Sequence, residues 1–229
     1  MRFTMPLLSC LAVLILGCDR NGGSDFPTMD RMTAGIFLDD PERGLLPPGV
    51  ELRSVYDRGI DLTKTSEGFV SNLYNDAAGY CTIAYGHLLK RSNCDGTEPP
   101  HFLRGVTEPQ GAELLIKDMA GAQVTVMTSV EADLTDGQYA ALCDFVFNVG
   151  SRNFRSSTLL KVVNAGDFPS VPFQLRRWVF AGGREFPGLK TRRENEIELF
   201  FDGLPIPRVA PPAEMDLEPI DIRTGEVRN

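Results

Sequence analysis

The same helix-start signature is written twice in this chain, as Thr107-Glu108-Pro109-Gln110 and as Thr135-Asp136-Gly137-Gln138. Each is a capping box, in which a threonine hydroxyl and a glutamine three residues later satisfy amides that the first helical turn leaves open. Leu114, Leu115, Ile116 and Met119 follow the first signature. Ala141, Leu142, Phe145, Val146 and Val149 follow the second, and Gly150 can end that helix. The strongly β-prone run, Tyr80 to Tyr85, lies before both, between turns at Asp76 to Gly79 and Asn93 to Gly96. A small antiparallel sheet followed by helix after helix is confined to an α+β fold, with a sheet lobe leading into a mainly helical lobe. A cleft between the lobes is the natural place for a site.

The remaining pattern fills in this architecture. Ile60, Phe69, Val70 and Leu73 suggest a helix over Ile60 to Tyr74 that joins the sheet lobe. Shorter helices are expected over Ser157 to Asn164, stopped by Gly166, and around Val171 to Phe180. An amphipathic helix near Leu189 to Phe201 closes the fold, with Arg192 and Arg193 on a solvated or ion-paired face. With 229 residues, 42% of them apolar, the chain can bury one proper core. That core is expected within residues 52–202. Residues 19–51 carry Asn21-Gly22-Gly23-Ser24, Pro27, Pro41 and Pro47-Pro48 and read as a flexible tether. Residues 203–229 carry Pro205, Pro207, Pro211, Pro212 and Pro219 and read as an irregular acidic tail.

Residues 1–18 read as an export signal. Arg2 precedes the 13 apolar residues Met5 to Gly17, whereas a membrane span needs about 20. The stretch ends in Ile15-Leu16-Gly17-Cys18, which resembles the lipobox of bacterial lipoproteins, where the cysteine is lipidated and becomes the new N-terminus. The resemblance implies an exported, periplasmic protein held to the membrane through an acylated Cys18. A secretory signal cut nearby and an uncleaved anchor are the alternatives. Export puts the remaining cysteines in an oxidising compartment. Cys81 and Cys94 bracket the hairpin and are expected to form a disulfide, worth roughly 3 kcal/mol for so short a loop, with Cys143 a buried free thiol. The net charge of -8 excludes a basic stripe for nucleic acid. It also gives no electrostatic help toward anionic wall polymers, so any grip on them must come from a shaped, hydrogen-bonding cleft.

Chemistry concentrates in one segment. Glu67 and Asp76 stand nine residues apart and Thr82 follows six later, with a helix end, a turn and a strand along this stretch. Two carboxylates across a groove suit glycoside hydrolysis, one protonated for the leaving oxygen and one ionised opposite. Glu67-Gly68, then Tyr74-Asn75-Asp76-Ala77-Ala78-Gly79, then Thr82-Ile83-Ala84-Tyr85-Gly86-His87 resembles the phage-type lysozymes, also called endolysins or muramidases. Phe145 to Gly150, Ser156 to Leu160, Asn164-Ala165-Gly166, Arg177-Trp178 and Pro187-Gly188-Leu189 with Arg192, Arg193 and Glu196 extend the likeness over residues 60–201. Ala84 departs from the pattern, which has glycine there, and is expected to tighten the cleft floor.

The resemblance implies a lysozyme-like fold and hydrolysis of the β-1,4 bond between N-acetylmuramic acid and N-acetylglucosamine in peptidoglycan, by a monomer with no cofactor and no metal. Glu67 would be the general acid, with its pKa raised by burial. Asp76 would stay ionised and handle the attacking water, and Thr82 would hold that water. Phe147, Asn148 and Ser157 would contact the glycan strand, although Phe147 reads equally as core and Ser157 equally as a helix cap. A carboxyl separation of roughly 6.5 to 9.5 Å would mean inversion, and about 5 to 5.5 Å retention. His87 reads as structural, paired with Asp118, and Trp178 as core. A lytic transglycosylase needs one acid and makes little use of Asp76 and Thr82, while a non-catalytic wall-binding module predicts the loss of one of these residues.

Overall fold

The computed structural model describes residues 46–209 and 211–228. The signal, Cys18 and residues 19–45 of the expected tether lie outside them. The described elements begin with helix α1 (Asp57–Glu67), which runs into a three-stranded antiparallel sheet of β1 (Val70–Asn75), β2 (Cys81–Ala84) and β3 (His87–Lys90). Helices α2 (Pro100–Leu103), α3 (Glu108–Asp118), α4 (Ala120–Ser129), α5 (Asp136–Val149), α6 (Ser151–Ser156), α7 (Thr158–Asn164) and α8 (Val171–Leu175) come next. A short hairpin, β4 (Phe180–Ala181) with β5 (Arg184–Glu185), then leads to α9 (Pro187–Phe200). No helix among the described residues is long and apolar enough to cross a membrane.

The expected helix over Ile60 to Tyr74 is two elements. Gly68, at φ +73, ends α1, and Val70 to Asn75 pair with β2, placing Val70 opposite Ala84 and Tyr74 opposite Thr82. Left-handed backbone at Gly68 stops a helix at no steric penalty, and the sheet offers Val70, Leu73 and Tyr74 more burial than a helix without an apolar middle would. The helix expected around Val171 to Phe180 also ends early, at Leu175, because Phe180 is claimed by the β4–β5 hairpin.

α1 packs mainly with the helical lobe rather than with the sheet. Its inner face is Gly59, Thr63 and Ser66, at helical spacing. A Cβ on Gly59 would lie 2.6 Å from the Cβ of Ala140, so glycine permits a close approach of α1 to α5 there. One turn further along both helices, the Thr63 hydroxyl meets the Asp144 carboxylate at 2.8 Å. The glycine contact thus sets the distance at which polar side chains can join across the seam.

The capping boxes form as the sequence suggests. Gln138 accepts from the Thr135 amide and its own amide donates to the Thr135 hydroxyl, while Gln110 accepts from the Thr107 amide. The main core lies in the helical lobe around Leu142, Phe145, Phe154, Trp178 and Phe200, with the indole of Trp178 edge-on to Phe145. A smaller core of Ile83, Ala84 and Phe102 lies under the sheet, and Phe69 packs against both. The sheet lobe is further tied by the Cys81–Cys94 disulfide and by His87 Nδ1 to Asp118 Oδ2, 2.8 Å apart. Cys143 is a buried free thiol.

Among its described residues the proline-rich tail forms no helix, yet it is part of the body. Ile220 and Ile222 are buried, Ile222 donates its amide to the Phe180 carbonyl, and Asp221 accepts from the amides of Gly182 and Gly183. Prolines exclude a helix but not a docked extended segment, in which Ile220 and Ile222 share one face.

Candidate active site

Glu67 is the last residue of α1, and its side chain is only 3% exposed. Its Oε1 accepts from Arg192 Nη1 at 2.7 Å. Burial pushes the Glu67 carboxyl above its ordinary value, against the opposing pull of the Arg192 guanidinium. An acid held this way keeps its proton to higher pH than a solvated glutamate, as donation to a leaving oxygen requires.

Asp76 is fixed by its own neighbourhood. It opens the turn after β1, and its Oδ1 accepts from the amides of Ala78 at 2.9 Å and Tyr80 at 2.8 Å. These two bonds fix the direction of the carboxylate without any distant residue. Thr82, fully buried in β2, donates its hydroxyl to the Tyr80 carbonyl at 3.0 Å. Asp76 and Thr82 are therefore both tied to the backbone of Tyr80, and the Thr82 oxygen keeps its acceptor capacity.

The expected sugar contacts separate. Phe147 is half-buried, while Asn148 is 1% exposed and accepts from Arg193 Nη2 at 2.7 Å. Ser157 caps α7, accepting from the Leu160 amide and donating to the Phe154 carbonyl. The cluster of Cys81, Cys94 and Glu98 is no metal cage, because both sulfurs belong to the disulfide. A cavity of about 620 Å³ lies on another flank of α1, lined by Val55, Ile60, Lys64 and Ile116, and includes none of Glu67, Asp76 and Thr82.

Of the two readings of Arg192 and Arg193, solvated or ion-paired, the structure has the second: they are ion-paired and only 1% and 0% exposed. Asp144 grips Arg192 through both oxygens, Oδ2 to Nε and Oδ1 to Nη2, each at 2.9 Å. Arg193 pairs with Glu196 at 2.8 Å. Asp144 was missed as part of the site. Its signal was a carboxylate inside the apolar run Ala140 to Val146, a position that demands a buried cation.

Ala84 is the one non-glycine among the described residues with a left-handed backbone, at φ +59. A Cβ on Gly111 of α3 would come within 3.1 Å of its methyl, so the methyl lies against α3.

The phage lysozyme family model matches residues 64–196, more than half of the chain, a stretch that includes Glu67, Asp76 and Thr82. The chain belongs to the phage lysozyme family. It is 37% identical over 154 residues to a SAR-endolysin of Enterobacteria phage PA-2, covering 67% of this chain and 88% of that one. To the SAR-endolysin of Bacteriophage PS119 it is 38% identical over 137 residues, 60% of this chain and 77% of that one. Among solved structures, the muramidase domain of SpmX from Asticaccaulis excentricus superposes with a TM-score of 0.56 at 28% identity, over 65% of this chain and 98% of that one. A point mutant of P22 lysozyme does so with a TM-score of 0.57, also at 28% identity, over 65% and 98%. As a phage lysozyme, the chain is a peptidoglycan hydrolase with an α+β lysozyme fold.

Proposed function

We propose that Glu67 protonates the glycosidic oxygen of the β-1,4 bond between N-acetylmuramic acid and N-acetylglucosamine, while ionised Asp76 directs the attacking water and stabilises oxocarbenium-like charge. Thr82 accepts a hydrogen bond from that water. The observation that carries this reading is the opposite treatment of two carboxyls in one motif. Glu67 is dry and raised in pKa, whereas Asp76 is anchored by backbone amides at a turn. Different environments for two acids are the mark of divided acid and carboxylate roles. Of the three expected glycan contacts, Phe147 has surface to offer; Asn148 and Ser157 are engaged inside the protein.

Digestion of purified peptidoglycan by the protein lacking residues 1–18, beside Glu67→Gln, tests the assignment. Fragments with reducing N-acetylmuramic acid ends that vanish in the mutant are expected. Anhydro ends would assign the chain to the transglycosylases, and binding without cleavage would make it a wall-binding module.

Lipid attachment at Cys18 is supported by Ile15-Leu16-Gly17-Cys18. It gives a monomeric periplasmic enzyme tethered through residues 19–51 at the membrane, reaching glycan strands from there. Mass spectrometry of the N-terminal peptide from exported protein is expected to find diacylglyceryl-cysteine, and an unmodified Cys18 in an intact or cut signal would refute the tether.

A further inference from the structure

Five buried charged side chains meet between α1, α5 and α9: Glu67, Asp144 and Glu196 with Arg192 and Arg193. All are at most 3% exposed. Three acids against two arginines leave one negative charge in excess if every group ionises, and a net charge in a dry seam is strongly disfavoured. The cluster therefore retains a proton. Asp144 is not where it rests, because Asp144 accepts both guanidinium nitrogens of Arg192 and the Thr63 hydroxyl. Burial works to raise its carboxyl, but the charge of Arg192 and the hydrogen bonds around it together hold it below the ordinary value. Burial pushes both Glu196 and Glu67 up, but Glu196 has a guanidinium of its own in Arg193, at 2.8 Å, whereas Glu67 meets Arg192 through a single nitrogen.

Arg192 is thus shared unequally. Nε and Nη2 go to Asp144, and only Nη1 reaches Glu67, at Oε1, so Glu67 Oε2 takes no part in that ion pair. We propose that Asp144 is a positioning residue of the lysozyme reaction: by engaging two of the three nitrogens of Arg192, and most of its charge, it lets Arg192 orient Glu67 without stripping its proton. The idea rests on Glu67 being the general acid. The charged groups facing Glu67 are Arg192 from α9 and Asp144 from α5. Those facing Asp144 are Arg192 and Glu196 from α9, with Thr63 from α1, and Arg193 of α9 faces Glu196. α3, which also packs on α1, turns Glu108 to the Tyr85 hydroxyl instead.

The test is Asp144→Asn, read by the pH profile of kcat and by carbon NMR titration of the Glu67 carboxyl. With Asp144 neutral, Arg192 is left to Glu67. Glu67 should then ionise at lower pH, moving the alkaline limb of kcat down by about one unit, which is about ten-fold in rate on that limb. KM should stay within about two-fold, and acidification should recover kcat. A loss of equal size at every pH, with the Glu67 titration unmoved, would reduce Asp144 to a structural role. Titration of the wild-type protein discriminates even if the variant does not fold. As pH falls, Glu67 should take up its proton before Asp144, and the reverse order overturns the proposal. Retained cleavage by Glu67→Gln would instead sink the general-acid reading, without altering that order.

Discussion

Glu67 and Asp76 sit at the two ends of one short stretch of chain and are held in opposite ways. Asp76 is oriented by the amides of Ala78 and Tyr80, two and four residues away. Glu67 is oriented by Arg192, 125 residues away, which is itself gripped by Asp144 from a third helix. The turn is local, polar and made of backbone, while the seam is dry, ionic and assembled only when α1, α5 and α9 have docked. Asp76 is held by its neighbours alone. Glu67 owes its raised pKa to burial, and burial is a property of the whole fold.

The contrast breaks first at Arg192. Arg192→Leu leaves Asp144 buried without its cation and should cost about 3–5 kcal/mol, seen as a lower urea midpoint; a loss below about 1 kcal/mol would mean that water reaches the seam. Removing the sheet lobe's own tie, with Cys81→Ala and Cys94→Ala together, should cost roughly 3 kcal/mol in the same measurement. The seam also sets a pH dependence. Because the Glu67 pKa is raised, the advantage of its protonated form is complete below the unfolded value and lost as pH rises through the folded one. Wild type should therefore lose stability relative to Glu67→Gln as pH rises through that window, with a slope of at most about 1.4 kcal/mol per pH unit. Parallel curves would show that Arg192 fully compensates the carboxylate.

Smaller effects sharpen the sheet side. Ala84→Gly removes the left-handed strain at φ +59 and should raise stability by about 1 kcal/mol. A lower melting temperature would show that the methyl's packing against α3 matters more. Asp76→Asn keeps an oxygen for both turn amides, so stability should change by less than about 0.5 kcal/mol while digestion disappears. A large destabilisation would mean that the turn depends on charge after all.

Much of this was legible in the residues. The spacing of Glu67, Asp76 and Thr82, both capping boxes and the turn at Asp76 depend on contacts a few residues apart, which a linear pattern records. The pairing of His87 with Asp118 and of Cys81 with Cys94 joins segments that neighbour one another along the chain. Other features misled. Val70 to Tyr74 looked helical because its strand partner lies in β2, and the tail looked loose because prolines hide the alternation of Ile220 and Ile222.

By itself the sequence determined the family, the order of the main sheet and the helices after it, and the spacing of Glu67, Asp76 and Thr82, because each follows from local periodicity, turn chemistry and short-range pairing. The tertiary structure alone decided that Arg192, Arg193, Asp144 and Glu196 are internal. A charged helix residue can be solvated or ion-paired, and the choice is made only when three helices dock around it and the loss of water makes an ion partner necessary.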